Sequence, residues 1–104
     1  MNAARQAQET WRFSTLAQRS EVLLRLADLV EEHTQELAEL ESQNVGKPLA
    51  QALEENTITA DNLRFFAAAA RCLEGRPAGE YLDGYTSMLR GVPVGVVGQI
   101  APWN

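Results

Sequence analysis

The sequence predicts an α/β protein, or a fragment of one, whose helices precede its strands. Apolar residues recur at intervals of three and four from Ser14 to Ala70, which is typical of amphipathic helices. After Pro77 the composition changes: residues 81–90, rich in aromatic, threonine and aliphatic residues, predict one strand, and the valine-rich residues 92–100 predict another. The segment over 92–100 is apolar on both faces, and strands of that kind usually lie inside parallel sheets.

The first predicted helix follows Thr15. Thr15 and Gln18 have the spacing of a capping box, in which each side chain covers a backbone N–H group of the first turn. The pattern breaks near His33, where Thr34 can cap a second helix. We expect the first helix to bury one apolar face formed by Val22, Leu23, Leu26, Leu29 and Val30.

Gly46-Lys47-Pro48 separates the second predicted helix from a third. Gly46 suits the left-handed residue after a helix, and Pro48 suits the first turn of the next helix. The third helix runs from Leu49 through the alanines at 67–70 and should end near Gly75. Because a run of alanines lets another helix approach closely, we expect this helix to be deeply buried.

Composition and charge exclude several classes of function. The chain has 104 residues, is 45% hydrophobic and carries a net charge of −5, most of it on residues 1–46. Without a basic patch to displace counterions from phosphates, no nucleic-acid partner is expected. No apolar run is long enough for a membrane span, and the N-terminus lacks the apolar segment of a secretory signal. With a single cysteine, these features predict a cytoplasmic protein that has no membrane partner.

Several motifs allow both a functional and a structural interpretation. Gly91, Gly95 and Gly98 lack the spacing of phosphate-binding loops, so we interpret them as sites of close backbone packing in a strand. Lys47 could bind an anion near a helix N-terminus, but a simple loop between two helices explains it better. Cys72 has no histidine partner in view, and a buried packing thiol explains it better than a nucleophile does.

The remaining titratable residues indicate solvated surfaces. His33 is expected at a helix end in water, and no metal site is predicted. Solvated helix faces explain the paired carboxylates Glu31-Glu32, Glu39/Glu41 and Glu54-Glu55.

Pro102-Trp103-Asn104 is the strongest candidate site. Proline fixes one backbone angle and the indole can anchor the loop, so the Asn104 carboxamide is aimed with little freedom. A carboxamide at the C-terminal end of a buried strand can donate a hydrogen bond to a developing oxyanion. An ordinary turn at the end of a strand is the alternative.

Taken in order, these segments resemble the aldehyde dehydrogenase family along nearly the whole chain. The resemblance runs from Trp11 through RLADLVEEH, LESQNVGKPL and LRFFAAAAR to PVGVVGQIAPWN. The last stretch is the most specific, because the oxyanion-stabilising asparagine of the family stands in its Pro-Trp-Asn element. NVGKPL, LRFFAAAAR and AGEYLDGYTSMLR look most like aminobutyraldehyde and betaine-aldehyde dehydrogenases.

The resemblance implies the NAD- or NADP-dependent oxidation of an aldehyde, with an amino- or ammonium-bearing aldehyde as the expected substrate. In this family a cysteine thiolate attacks the carbonyl, hydride passes to the nicotinamide, and a glutamate helps water to release the acid. By position, Asn104 would be the catalytic oxyanion donor. The residues implied to line the coenzyme site are Ile100, Ala101, Pro102 and Trp103.

The resemblance also implies how the chain is divided. Residues 1–78 would be a helical part of the coenzyme-binding domain, and residues 79–93 a strand segment of the arm that joins subunits into homodimers or homotetramers. Residues 94–104 would form the first strand and the Pro-Trp-Asn turn of an incomplete dinucleotide-binding sheet. The nucleophilic cysteine and the general base of the family lie beyond Asn104, so residues 1–104 alone are expected to be inactive.

Two other interpretations stay open. The chain could be a non-catalytic helical interaction protein that pairs through its apolar faces, or a truncated remnant of the enzyme. A stand-alone nucleotide-binding module has less support, because the sequence contains no complete phosphate-binding turn.

Overall fold

The computed structural model describes residues 2–75 and 78–102. A 3₁₀ turn follows the last α-helix, and a two-stranded antiparallel sheet follows the turn. The elements are α1 (Asn2–Trp11), α2 (Leu16–Glu32), α3 (Thr34–Val45), α4 (Leu49–Ala69), the 3₁₀ turn (Ala70–Cys72), β1 (Gly79–Leu82) and β2 (Tyr85–Ser87). Among the helices described, none combines the length and the hydrophobicity that crossing a bilayer requires.

The chain divides into two compact units. One unit comprises residues 15–72 with Ala101 and Pro102, and it contains α2, α3 and α4. The other comprises residues 2–14 and the described part of 73–100, and it contains α1 and the two strands.

The start of α2 confirms the predicted capping box. The backbone N–H of Gln18 donates to Thr15 Oγ1 at 3.2 Å, and the backbone N–H of Thr15 donates to Gln18 Oε1 at 2.8 Å. The break at His33 is also present, because α2 ends there and α3 begins at the next residue. The prediction that Thr34 caps α3 is wrong. Thr34 is the first residue of α3, and its hydroxyl donates to the Val30 carbonyl at 2.8 Å.

Gly46 ends α3 as predicted. Its φ angle of 76° lies in the left-handed region, and its N–H donates to the Ser42 carbonyl at 2.9 Å. Pro48 is the N-cap of α4 rather than a residue of its first turn. This small correction leaves the loop between the helices only three residues long.

Small residues form the core of the three-helix unit. Within the described chain, the fully buried apolar residues are all alanines: Ala27 of α2, Ala38 of α3, and Ala52, Ala60 and Ala67 of α4. The three on α4 are spaced by eight and seven residues, so they lie on one face. Alanine side chains let neighbouring helices approach closely. The other helices therefore approach α4 along this stripe, and not along the run of alanines at 67–70 as predicted.

Most large apolar side chains lie outside this core. In the predicted face of α2, Leu23, Leu29 and Val30 are half-buried, whereas Val22 and Leu26 are exposed. The prediction that α4 is deeply buried is wrong for this structure. Only one side of α4 is covered by α2 and α3, and Phe65 on the other side is exposed.

Residues 2–11 form a helix that was not predicted. The segment carries few large apolar residues, so the apolar repeat by which the other helices were predicted is sparse here. Its alanine, glutamine and arginine residues have high intrinsic helix propensity instead. The prediction of about three helices was therefore one helix too few.

The single strand predicted over 81–90 is a β-hairpin. Leu82 pairs with Tyr85, so Asp83-Gly84 forms a two-residue turn in which Gly84 has a φ of 74°. Of the two turn residues only Gly84 has a positive φ, which glycine adopts without steric cost, and an Asp-Gly pair is a strong hairpin signal. The register shifts between Gly79 and Leu82, which places a bulge in β1.

Residues 88–102 have no regular secondary structure, so the strand predicted over 92–100 is not formed here. Gly95 has a φ of 117°, and no atom lies within 4 Å of the position that a Cβ would take, which corrects the expectation of close packing. A strand that is apolar on both faces needs neighbouring strands and covering layers. The place of residues 94–104 in a dinucleotide-binding sheet stays a prediction.

Candidate functional site

The residues predicted for coenzyme binding and catalysis lie at the end of the chain. Ile100, Ala101 and Pro102 are exposed neighbours on a segment without regular structure. Trp103 and Asn104 lie outside the described residues. The assignment of residues 100–102 to a coenzyme site stays a prediction.

Lys47 is the most distinctive charged group of the three-helix unit. Its side chain is only 6% exposed, and its Nζ donates to Glu41 Oε1 at 2.6 Å and to Glu55 Oε2. Glu41 belongs to α3 and Glu55 to α4, so the Lys47 ion pairs tie the loop to both helices. Because two carboxylates already hold the ammonium, Lys47 is not an anion site, and the loop interpretation stands.

The electrostatics of Lys47 follow from these contacts. The hydrogen bonds to Glu41 and then to Glu55 raise the pKa of the Lys47 ammonium above its ordinary value of 10.5. Lys47 therefore stays charged at neutral pH. A buried charge is tolerated when it is paired, and removing its partners or the charge itself leaves an uncompensated group.

Arg64 joins α4 to α2. Its Nη1 and Nη2 donate to Glu31 Oε1 at 2.5 Å and Oε2 at 2.7 Å, and Nη2 also donates to Asp28 Oδ1 at 3.0 Å. Bidentate arginine–carboxylate pairs are among the stronger charge-assisted hydrogen bonds. The hydrogen bond from Arg64 lowers the pKa of Glu31, and the bonds to Glu31 and Asp28 raise the pKa of Arg64.

The ion pairs of Lys47 and Arg64 were missed in the sequence. The carboxylates of Glu31, Glu41 and Glu55 were assigned to solvated faces, but each accepts a hydrogen bond from a cation on another segment. A possible signal was the spacing of Asp28 and Glu31, which places both on one face of α2. The partner of Glu31 is separated from it by 33 residues, however, so only the helix packing reveals the contact.

A mostly apolar groove of about 330 Å³ lies between α2, α3 and α4. At its edge the Asn56 side-chain amide donates to the Thr34 carbonyl at 3.0 Å, which links α4 to the start of α3. Of the residues predicted for coenzyme binding, the described ones, Ile100, Ala101 and Pro102, do not line it. The lining residues are Val30, Leu37, Leu40, Glu41, Asn44, Asn56 and Thr59.

Cys72 is exposed in the 3₁₀ turn, so the expectation of a buried packing thiol is wrong. α4 ends at Ala69, before the predicted end near Gly75, and this places Cys72 outside the α-helix. His33 lies at a helix end as expected, with its Nδ1 3.2 Å from Glu36 Oε2. Over residues 2–75 and 78–102, no three His, Cys, Asp or Glu side chains converge on a possible metal position.

Comparison with known proteins decides the family. The family model described as the aldehyde dehydrogenase family matches residues 1–104. The chain belongs to the aldehyde dehydrogenase family. This membership confirms the resemblance that the Pro-Trp-Asn stretch and the helical segments suggested.

Individual aldehyde dehydrogenases match the chain along its length. An aldehyde dehydrogenase of Vibrio cholerae serotype O1 is 42% identical over 106 residues, which cover 100% of this chain and 21% of that protein. A fluoroacetaldehyde dehydrogenase of Streptantibioticus cattleyicolor is 40% identical over 106 residues, covering 100% of this chain and 20% of that protein. The chain thus spans about a fifth of the length of the curated relatives that it matches.

A solved structure supports the fold as well. The crystal structure of an NAD-dependent aldehyde dehydrogenase from Sinorhizobium meliloti matches with a TM-score of 0.69 and 38% identity. The match covers 78% of this chain and 16% of that protein. The match supports an aldehyde dehydrogenase fold for most of this chain.

Proposed function

We propose that this chain supplies the N-terminal part of an NAD- or NADP-dependent aldehyde dehydrogenase that oxidises an aldehyde to a carboxylic acid. The family match over residues 1–104, which includes the GQIAPWN stretch, is the observation that carries the proposal. The exposed 100–102 segment would form one wall of the coenzyme site together with Trp103. Residues 79–93 would contact a second subunit in a homodimer or homotetramer.

Asn104 would act on the reacting carbonyl oxygen. When a nucleophile adds to an aldehyde, negative charge develops on that oxygen, and a fixed side-chain N–H stabilises the charge more in the transition state than in the ground state. Pro102 limits the freedom of the preceding backbone, so little reorganisation is needed during the reaction. The coenzyme would accept the hydride, and Asn104 would take no part in that transfer.

The proposed substrate is a small aldehyde, with amino- or ammonium-bearing aldehydes as the specific class. The name of the Streptantibioticus relative, fluoroacetaldehyde dehydrogenase, supports small aldehydes. The resemblance of LRFFAAAAR and AGEYLDGYTSMLR to aminobutyraldehyde and betaine-aldehyde dehydrogenases supports the amino group.

A chimera tests the proposal. Residues 1–104 replace the matching segment of the Vibrio cholerae aldehyde dehydrogenase, and NADH formation is followed with a small aldehyde and NAD. Asn104→Ala in this chimera should lower kcat by about 10²–10³-fold, as the loss of one oxyanion donor typically does. Asn2→Ala, at an exposed asparagine of α1, is the matched control and should leave kcat unchanged.

Two results would contradict the proposal. A soluble, folded chimera that never oxidises an aldehyde would argue against a functional aldehyde dehydrogenase segment. An Asn104→Ala variant with the kcat of the unmodified chimera would remove Asn104 from catalysis, even if the family assignment stands.

A further inference from the structure

The turn of the β-hairpin contains a chemically reactive pair of residues. Asp83-Gly84 is the only step in the sequence at which an aspartate or an asparagine precedes a glycine. The two residues form the whole turn, because Leu82 on one side pairs with Tyr85 on the other. Asp83 and Gly84 are both exposed, so water reaches the peptide bond between them.

No contact holds the turn in a way that would prevent a reaction there. Apart from its chain neighbours, no atom lies within 4 Å of the position that a Cβ on Gly84 would take. Within the described residues, neither the Gly84 N–H nor the Asp83 carboxylate takes part in a hydrogen bond or an ion pair. The Asp83 side chain can therefore rotate towards the nitrogen of the next residue.

An aspartic acid side chain can close a succinimide ring on the nitrogen that follows it. The new bond joins Asp83 Cγ to the Gly84 nitrogen, and the amide proton leaves with the hydroxyl of the carboxylic acid as water. A second water molecule then opens the ring. Cleavage between the Asp83 carbonyl carbon and the Gly84 nitrogen leaves the main chain running through Cγ, which is an isoaspartyl linkage, whereas cleavage at Cγ restores aspartate.

This reaction needs no oxidant, reductant or cofactor. Its rate depends on how closely the nitrogen can approach Cγ. Glycine is the residue that hinders this approach least, because it carries no Cβ. The sequence of the turn and its open surroundings thus favour the same reaction.

We propose that Asp83-Gly84 is a site of spontaneous isoaspartate formation, and that this modification disrupts the β-hairpin. An isoaspartyl linkage adds one carbon to the main chain of a two-residue turn. Because turn type and loop length set the register of a hairpin, the pairing of Leu82 with Tyr85 is lost. The inference requires only the turn, so it holds whether or not the chain belongs to an active enzyme.

Little else in the hairpin would preserve the pairing. A hairpin of two strands is marginally stable by itself in water. Leu82 and Tyr85 are each 66% exposed, so the packing of their side chains contributes little. A change in the turn is therefore enough to separate the strands.

Mass spectrometry of the aged 104-residue chain tests the site. The chain is kept at neutral pH and physiological temperature, with and without guanidinium chloride. Trypsin cleaves after Arg71 and Arg90 but not before Pro77, so one peptide over 72–90 carries the turn. Isoaspartate gives a peptide of unchanged mass and altered retention time, and the succinimide gives a peptide lighter by one water.

The folded and the denatured chain should form isoaspartate at Asp83 at similar rates. A rate in the folded chain that is within about tenfold of the denatured rate supports the inference. A folded rate below this range would overturn it, because the turn would then have to open locally before it reacts.

Asp61 provides a control within the same molecule. It is also exposed, but it lies inside α4, where the helix fixes the backbone of Asn62. Folding should therefore slow isoaspartate formation at Asp61 much more than at Asp83. Equal slowing at both positions would contradict the proposed openness of the turn.

Two variants at Asp83 test the chemistry. Asp83→Glu keeps the carboxylate but must close a larger ring, so the peptide of altered retention time should not appear. Asp83→Asn reaches the same succinimide by releasing ammonia and should form isoaspartate faster than the unmodified chain. Failure of Asp83→Asn to form isoaspartate would overturn the inference, and so would an unchanged rate in Asp83→Glu.

Nuclear magnetic resonance tests the effect on the hairpin. The cross-strand contact between Leu82 and Tyr85 should be present in the fresh chain, lost in the isoaspartyl form and retained in Asp83→Glu aged for the same time. A contact that persists in the isoaspartyl form would contradict the proposed disruption. Its absence from the fresh chain would do so as well.

Discussion

At the level of single residues, Lys47 has the most demanding environment. It is the only lysine in the sequence, and its side chain is 6% exposed while its partners Glu41 and Glu55 are 18% and 25% exposed. The ammonium therefore compensates two carboxylates that the loop and the helix ends bring together. Its role is structural, because it fixes the short connection between α3 and α4.

Lys47→Met should destabilise the three-helix unit. The substitution keeps the length of the side chain but leaves two neighbouring carboxylates without their shared cation. Urea denaturation at pH 7 should show a lower midpoint for Lys47→Met than for the unmodified chain. Glu54→Gln, at an exposed carboxylate next to Glu55, should leave the midpoint nearly unchanged, and equal effects of the two variants would contradict the structural role.

The stabilities of the unmodified chain and of Lys47→Met should respond differently to high pH. The Lys47 pKa is raised in the folded chain, so its stabilising contribution is complete below the ordinary value of 10.5 and is lost as the pH rises through the raised pKa. The difference in unfolding free energy between the unmodified chain and Lys47→Met should therefore narrow above pH 10.5. A difference that stays constant to higher pH would mean that the charge of Lys47 is not what stabilises the loop.

At the level of helices and strands, the capping box of α2 is the clearest stabilising device. Thr15→Ala removes the acceptor of the Gln18 backbone N–H and should cost about 1 kcal/mol of unfolding free energy. Thr57→Ala, within α4, should be neutral or slightly stabilising because alanine has the higher helix propensity. Chemical denaturation of both variants checks this, and equal stabilities would contradict it.

The contact between α2 and α4 should depend on acid. Arg64 lowers the pKa of Glu31, so this stabilisation is complete above the ordinary value of 4.5 and is lost as the pH falls through the lowered pKa. We expect Arg64→Met to be less stable than the unmodified chain at pH 7, with the gap closing below pH 4.5. Arg25→Met, on the exposed side of α2, serves as the control and should show no such closing gap.

Those elements whose signals lie within a few residues could be predicted from the sequence. Thr15 with Gln18, the break at His33 and the left-handed Gly46 each depend on neighbours within one helical turn, and the structure confirms all three. The Asp83-Gly84 turn was equally local and was overlooked. The strand over 92–100 is different in kind, because it needs partner strands that no local pattern supplies.

Some properties of the candidate site could also be predicted from the sequence, and others could not. The Pro-Trp-Asn element, together with the helical segments before it, was enough to identify the family, which the comparison confirms. Trp103 and Asn104 lie outside the described part, so the role of the Asn104 amide stays a prediction. The ion pairs of Arg64 were not predictable either, because they join residues that only the helix packing brings together.

At the level of the whole molecule, the 104-residue chain exposes a large share of its apolar side chains. Its fully buried apolar residues, within the described part, are five alanines, whereas Phe13, Phe65 and Val97 are mostly exposed. Alanine burial removes little apolar area from water, so the hydrophobic contribution to folding is small. Contiguous exposed apolar surface usually marks a site of contact with another protein surface.

The isolated chain should therefore bind an apolar dye and melt over a broad temperature range. Anilinonaphthalene sulfonate fluorescence and circular dichroism measure the two properties, and the chimera is the comparison, with weaker dye binding and a sharper transition. A compact, cooperatively melting monomer that binds no dye would contradict this expectation. It would also favour a protein that is complete in its present form.

Lys47 is the only lysine in the sequence, so its chemical reactivity can measure how often the three-helix unit opens. Acylating reagents attack unprotonated amines, and the only side-chain amine of the chain is both buried and held in its protonated form. The rate of acylation at Lys47 should thus report how often the ammonium leaves its carboxylates. The rate at which the acylated Lys47 peptide accumulates in mass spectra would then measure how often α3 and α4 separate, without any engineered probe residue.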